Sequence, residues 1–219
     1  MNCLVTAGPT YEPLDQVRRL TNFSTGRLGI ELAGFLTAHG HQVTLFVGEQ
    51  ATWCGPRHAA RMVPFSTTAD LAAKLRLHRG TAIEAVFHAA AVSDFRFARA
   101  FQPSPGGALE EIRSGKLSTR TGGLLVELEP TPKLLPQMRD WFPAARITGW
   151  KYEVDGDRPA ALARAGEQLT IARTDACVVN GPAYGAGFGL LTCAGCRDLT
   201  DREALFAALL ADLARDRAE

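Results

Sequence analysis

The sequence has almost no net charge: 24 Lys and Arg stand against 23 Asp and Glu over 219 residues. No overall field draws a nucleic acid or an anionic membrane, so any phosphate binding has to come from a local arrangement. No apolar run approaches the roughly 18 residues that span a bilayer, and no charged n-region with an apolar h-region opens the chain. We therefore expect a cytoplasmic protein with small-molecule ligands and with neither nucleic-acid nor membrane partners. A disulfide framework is missing too, because the five cysteines, Cys3, Cys54, Cys177, Cys193 and Cys196, are odd in number and scattered. "CAGC" at Cys193 to Cys196 has redox or zinc spacing, yet no second pair or nearby His completes four ligands. These read as structural thiols, and no protein-held metal is expected.

Two familiar phosphate signatures are also absent. Gly8, Gly26 and Gly29 do not spell G-x-G-x-x-G, and the second strand, "QVTLFVGEQ", does not end on an acidic residue. No Gly-Lys-Ser/Thr ending marks a Walker loop. Lysine is scarce: Lys74, Lys116, Lys133 and Lys151 are the only four, which leaves 20 arginines among the 24 basic residues.

What is present is a rhythm. Short β-like runs ("CLVTA", "QVTLFVG", "RMVPF", "AIEAVFHAAA", "ARITGW", "DACVVN") alternate with helical patterns at about Gly26 to His39, Thr68 to His78, Thr131 to Trp141, Pro159 to Ala172 and Asp201 to Arg215. That order predicts an α/β fold, a Rossmann-like open, mostly parallel sheet with helices on both faces. The passage from Phe95 to Gly123 breaks the rhythm with Pro, Gly, Ser and Arg. It is too long for an ordinary connector and predicts a flap-like insertion at about 95–123.

In such sheets ligands bind outside the carboxyl ends of the strands, where the next helix offers free N–H groups. The stretch "TAGPTYEPLDQVRRLTNFSTGRLG", Thr6 to Gly29, occupies that position with Thr10, Arg18, Asn22, Ser24 and Thr25 as polar groups. The strand ending "HAAAVSDFR" sets the small residues Ala89 to Ala91 at the same edge and follows them with Asp94. An Asp there binds a ribose hydroxyl or a base amine, or caps a turn.

Together these segments resemble the phosphopantothenoylcysteine synthetase family, the phosphopantothenate–cysteine ligases of coenzyme A biosynthesis. The resemblance continues through "SGKLS", "EPTPKLL", "ITGWKYE" and "DACVVNGPAYGAGFG", nearly the whole chain. It implies a single ligase domain over 1–219, in a stand-alone form without the flavin-dependent decarboxylase domain to which many bacterial members are fused. No flavin is then expected. The implied reaction joins 4'-phosphopantothenate and L-cysteine through an acyl-nucleotide, using Mg²⁺ with CTP, or with ATP as in many eukaryotic relatives. Electrostatic stabilisation and positioning carry such chemistry without a nucleophilic side chain.

The resemblance also implies roles. Asn22 falls on the Asn that contacts the acyl-nucleotide, Arg18 on the Arg of that loop, which binds the pantothenate side of the substrate or braces the loop, and Ala90 and Ala91 on small residues beside the substrate. Gly8 and Asp94 belong to the nucleotide side, and Lys116 matches a flap lysine that reaches the phosphates. Thr131, Pro132 and Lys133 occupy the place of a nucleotide-contacting segment at a helix start. Trp150 stacks on a base or fills the core. "GWKYEV" departs from the family pattern, and its Lys151 compensates for missing cations near Arg173 and Gly181. Lys74 and Lys133 read as ordinary surface lysines. The family implies a homodimer and an association with a separate phosphopantothenoylcysteine decarboxylase. Two rivals stay open: an NAD(P)-dependent reductase, disfavoured by the missing glycine pattern and Tyr-x-x-x-Lys pair, and a non-catalytic paralogue that binds a phosphorylated ligand.

Overall fold

A computed structural model describes residues 1–104, 106–112, 115–118 and 123–215. β1 (Asn2–Ala7) is buried at every position from Cys3 to Ala7, as a central parallel strand covered on both faces must be. The loop after it holds a short hairpin, β2 (Tyr11–Pro13) with β3 (Arg19–Thr21), before α1 (Arg27–Ala38) crosses to β4 (Gln42–Gly48). α1 stops as expected ahead of Gly40, which has φ +82°. β5 (Arg61–Phe65), α2 (Thr68–Arg76) and β6 (Ala85–His88) continue the alternation. After an excursion come α3 (Leu135–Trp141), β10 (Arg146–Tyr152), α4 (Arg158–Ala172) and β11 (Ala176–Asn180). β12 (Phe188–Thr192), β13 (Gly195–Leu199) and α5 (Arg202–Arg215) close the described chain.

The sheet order is β13-β12-β11-β10-β6-β1-β4-β5, with β12 and β13 antiparallel and the remaining pairs parallel. One face packs Ile30, Leu32 and Leu36 of α1 and Leu205 and Leu209 of α5 against the sheet. The other packs Leu71 and Leu75 of α2 and Met138 of α3. Helices therefore cover both faces, and the mostly parallel Rossmann-like expectation holds. Among the described residues no helix is long and apolar enough to cross a membrane.

Several local expectations need correction. The long passage is an arm of β7 (Phe95–Pro103), β8 (Leu109–Ile112) and β9 (Leu125–Pro130), an antiparallel sheet in the order β8-β7-β9 that runs past Gly123. The helix anticipated near Thr131 begins at Leu135, because the Thr131 N–H extends the arm's ladder by donating to the Asp94 carbonyl at 2.9 Å. β6 ends at His88, three residues before Ala91. "CAGC" is a hairpin corner, with Thr192 paired to Gly195 and Cys196 already in β13. All five cysteines are free, and no group of three or more metal-binding side chains lies among the described residues.

Candidate functional site

The chain crosses from β1 to β4 on one side and returns through β5 to β6 on the other, so the sheet's switch point lies between the carboxyl ends of β1 and β6. The two ends are tied there. The Ala91 N–H donates to the Gly8 carbonyl at 3.0 Å, and the Ala91 carbonyl accepts from the Thr10 N–H at 3.1 Å and from Asn22 Nδ2 at 3.0 Å. Asn22 is exposed, which places its amide at the surface of the crevice. Gly8 has φ +83°, and a Cβ on it would lie 2.8 Å from the Ala51 methyl; only glycine fits this turn. Behind it, Ser93 N–H donates to Thr10 Oγ1 at 2.8 Å, Thr10 Oγ1 donates to Ser93 Oγ at 3.0 Å, and Thr131 Oγ1 donates to the Ser93 carbonyl. This buried hydroxyl chain locks the β1 loop, the end of β6 and the arm's exit to one another.

A second junction ties the arm to the β2–β3 hairpin. Asp15, with a side chain only 1% exposed, accepts from the N–H groups of Val17 at 2.8 Å, Arg18 at 2.7 Å and Leu117 at 3.1 Å. The Arg18 guanidinium donates to Asp15 through Nε at 3.0 Å and Nη2 at 2.7 Å, and also to the Leu117 carbonyl. Burial opposes the charge on Asp15, but the backbone donors of Leu117, Val17 and Arg18 and the guanidinium outweigh it and hold the carboxyl well below the usual range. The Gln16 N–H donates to the Gly115 carbonyl at 3.0 Å. Both neighbours of Lys116 are thus pinned to the loop that carries Arg18, and Arg18 acts as a brace.

The third element is a cleft of about 590 Å³ at the carboxyl ends of β6 and β10, between α3 and α4. Asp94 and Lys133 form an ion pair on its rim, 68% and 65% exposed. Lys151 and Arg164 also line it, and both pair with Glu153, a carboxylate 14% exposed, Lys151 at 3.2 Å. Gly149 leaves the room that Leu135 and Gln168 occupy: a Cβ there would lie 2.8 Å from Leu135 Cδ2. Trp150 reaches this cleft while packing against the core beneath α1 and α5, with its indole nitrogen buried and unpartnered among the described residues.

The expected residues therefore fall into three adjoining groups: Gly8, Asn22, Ala90 and Ala91 at the switch point, Arg18 and Lys116 at the brace, and Asp94, Trp150 and Lys151 at the cleft. Thr131 and Pro132 lead from the hydroxyl chain to the cleft. Arg173 is elsewhere, capping α4 at φ 53° and pairing with Asp140 at 2.7 Å. Lys133, read as a surface lysine within the segment from Thr131, is exposed on the rim, and the cleft also takes Arg164 and His88, which the sequence did not single out. His88 did carry a signal, since it immediately precedes the small residues Ala89 to Ala91.

A crevice at a Rossmann-type switch point, edged by small residues and flanked by lysines and an arginine, places the chain among the α/β proteins of Rossmann-like fold. Residues 1–194 match the model of the DNA/pantothenate metabolism flavoprotein C-terminal domain, and the chain belongs to that family. It is 30% identical over 178 residues to the coenzyme A biosynthesis bifunctional protein CoaBC of Thermococcus kodakarensis, covering 81% of this chain and 40% of that protein. To the CoaBC of Bacillus subtilis it is 28% identical over 190 residues, 86% of this chain and 43% of the other. The chain thus spans about two-fifths of the length of these curated relatives. The structure of the DNA/pantothenate metabolism flavoprotein from Streptococcus pneumoniae superposes with TM-score 0.85 at 23% identity, over 98% of this chain and 99% of that one. A Cab2 mutant in complex with phosphopantothenate-cysteine gives 0.72 at 18% identity, over 99% and 87%. At these identities the structural likeness establishes the fold.

Proposed function

We propose that this chain is a phosphopantothenate–cysteine ligase working through an acyl-nucleotide, with CTP as the nucleotide and ATP as the alternative. The carboxylate of 4'-phosphopantothenate attacks the α-phosphorus, the bond to the β-phosphate oxygen breaks and pyrophosphate leaves. The cysteine amine then attacks the acyl carbon and loses a proton, and CMP departs with the electrons of the broken C–O bond. The observation that carries this reading is the junction at Ala91, where the Asn22 amide stands at the switch point beside a cleft lined by Lys133, Lys151 and Arg164.

In this reading Asn22 is catalytic, its amide contacting the acyl carbonyl as charge builds on oxygen. Ala90 and Ala91 keep the edge low enough for the substrate to approach. Lys116 is the mobile charge for the phosphates, and Arg18 holds its segment in place. Gly8, Asp94, Thr131, Pro132, Trp150 and Lys151 border the nucleotide, with Lys133 and Arg164 now added. Mg²⁺, arriving with the triphosphate, would supply charge neutralisation at the phosphates, with Asp94 the exposed carboxylate on the cleft rim that could help hold it.

Phe95, Leu109, Leu125, Val126 and Leu128 leave large apolar surfaces exposed on the arm, which supports self-association through it as a homodimer. A separate phosphopantothenoylcysteine decarboxylase, which consumes the product, is the expected protein partner. The test is pyrophosphate release with Mg²⁺, 4'-phosphopantothenate and CTP or ATP in turn, with and without L-cysteine. Release that depends on phosphopantothenate supports the ligase. None from a folded sample, with either nucleotide, leaves a phosphorylated-ligand binder.

A further inference from the structure

One wall of the cleft holds a buried ring with no part in the ligase scheme. His88 ends β6, is 7% exposed and lines the cleft. Its Nδ1 lies 2.8 Å from Thr6 Oγ1, which also accepts the Ala90 N–H at 3.2 Å. Thr6 is fully buried, so its hydroxyl proton requires an acceptor, and His88 Nδ1 is the one within reach among the described residues. Thr6 therefore donates to Nδ1, and the ring proton is assigned to Nε2. Nε2 has no partner among the described residues, on the side of the ring turned away from Thr6. Burial pushes the imidazole down to about 4, so the ring is neutral near pH 7. Around it the wall is largely apolar, with Ala90, Val92, Leu134 and Leu135, whereas the fixed positive charges belong to Lys133, Lys151 and Arg164.

We propose that His88 Nε2–H is a specificity-determining donor presented to the cleft, where it binds an uncharged acceptor of the nucleotide, a carbonyl oxygen or ring nitrogen of its base. This rests on the reading that the nucleotide occupies the cleft. A neutral donor in an apolar wall matches a base edge, because anionic phosphate is served better by the cations. An analogue without that acceptor leaves Nε2–H unpaired once water is displaced, which is how a buried donor discriminates between ligands.

The test is ¹⁵N NMR of the imidazole in the full chain, free and with CTP, UTP or ATP. The proposal expects the Nε2–H tautomer in the free protein and a shift of the Nε2 resonance on saturation with the preferred nucleotide. His88→Leu should raise the KM for that nucleotide about tenfold with kcat within about twofold. His88→Gln, which keeps an N–H donor, should recover part of that loss. If His88→Leu does not fold, the spectra of the unsubstituted protein still decide. An Nδ1–H tautomer, or an Nε2 resonance that saturating nucleotide leaves unmoved, overturns the assignment. If pyrophosphate is never released yet the nucleotide moves Nε2, the ligase reading fails and the donor stands; if pyrophosphate is released while the resonance stays unmoved, the ligase stands and the donor fails. A protein that binds no nucleotide overturns both.

Discussion

Two clefts open on opposite edges of the central sheet, and the smaller one carries the candidate site. The cleft at the amino edge of β10 and β11 measures about 900 Å³ and the carboxyl-edge cleft about 590 Å³. Both are rich in ion pairs, but of different kinds. At the amino edge Asp212, with a side chain 4% exposed, takes Arg197 on both oxygens at 2.7 and 2.6 Å, pairs with Arg215 and has Arg146 at 3.6 Å. That cluster fastens α5 to β13 and β10. At the carboxyl edge Asp94 and Lys133 are paired in water on the rim, while Glu153, 14% exposed, holds Lys151 and Arg164. An exposed pair is worth little and opens readily for a ligand, whereas a buried carboxylate cannot lose its guanidiniums without stranding charge. The exposed rim pair of Asp94 and Lys133, more than the volume of the cleft, sets the candidate edge apart from the amino edge.

The sharpest way to break this comparison is Asp212→Ala. Removing the shared carboxylate leaves its arginines facing one another, though Arg197 and Arg215 stay solvated, and the expected loss is about 2–3 kcal/mol of stability in urea denaturation. Stability equal to that of the unsubstituted protein would make the amino-edge cluster an ordinary surface feature.

His88 is expected to have an effect of similar size. Its folded pKa, about 4, lies below the ordinary 6.5, so between these values the unfolded chain binds a proton that the folded chain refuses. Stability from this group is present above pH 6.5 and falls as pH drops toward 4, by about 3 kcal/mol in all. Chemical denaturation across that window should show the slope, and His88→Gln should flatten it.

Asn22→Asp sets a negative charge beside the developing oxyanion and removes the donor to the Ala91 carbonyl. Pyrophosphate release should fall about 100-fold while the melting temperature barely moves. Full activity would remove Asn22 from the site. The smallest effect is expected of Lys133→Ala: stability within about 0.5 kcal/mol, since the pair is exposed, but nucleotide affinity lower by about tenfold. Unchanged affinity in calorimetry would return Lys133 to the ordinary surface.

The fold was readable where burial writes itself into composition. "CLVTA" and "ACVVN" are runs without alternation, as strands covered on both faces require, and α1 has apolar residues at helical spacing with Gly40 behind it. The β12–β13 hairpin was hidden because "GFGLLTCAGCRDL" looks like a turn followed by loop until its partner strand is known. The start of α3 was misplaced by four residues, since Thr131 has a better use for its N–H in the ladder with Asp94 than in a helix. Lys133 and Arg164 looked like any solvated cations, because nothing local marks a side chain whose neighbours come from other elements.

The sequence by itself determined the alternation of strands and helices, the broken rhythm of the arm and the small, polar residues near the carboxyl edge, because these follow from local periodicity and residue size. Tertiary structure alone decided that Asn22 and Thr10 meet on one carbonyl of Ala91, that Asp15 and Arg18 hold Leu117 while Gln16 holds Gly115, and that Thr6 orients the ring of His88. Those pairings join residues dozens of positions apart. Their geometry is set by the register of the sheet and by which buried polar groups must find a partner, neither of which any short stretch of sequence contains.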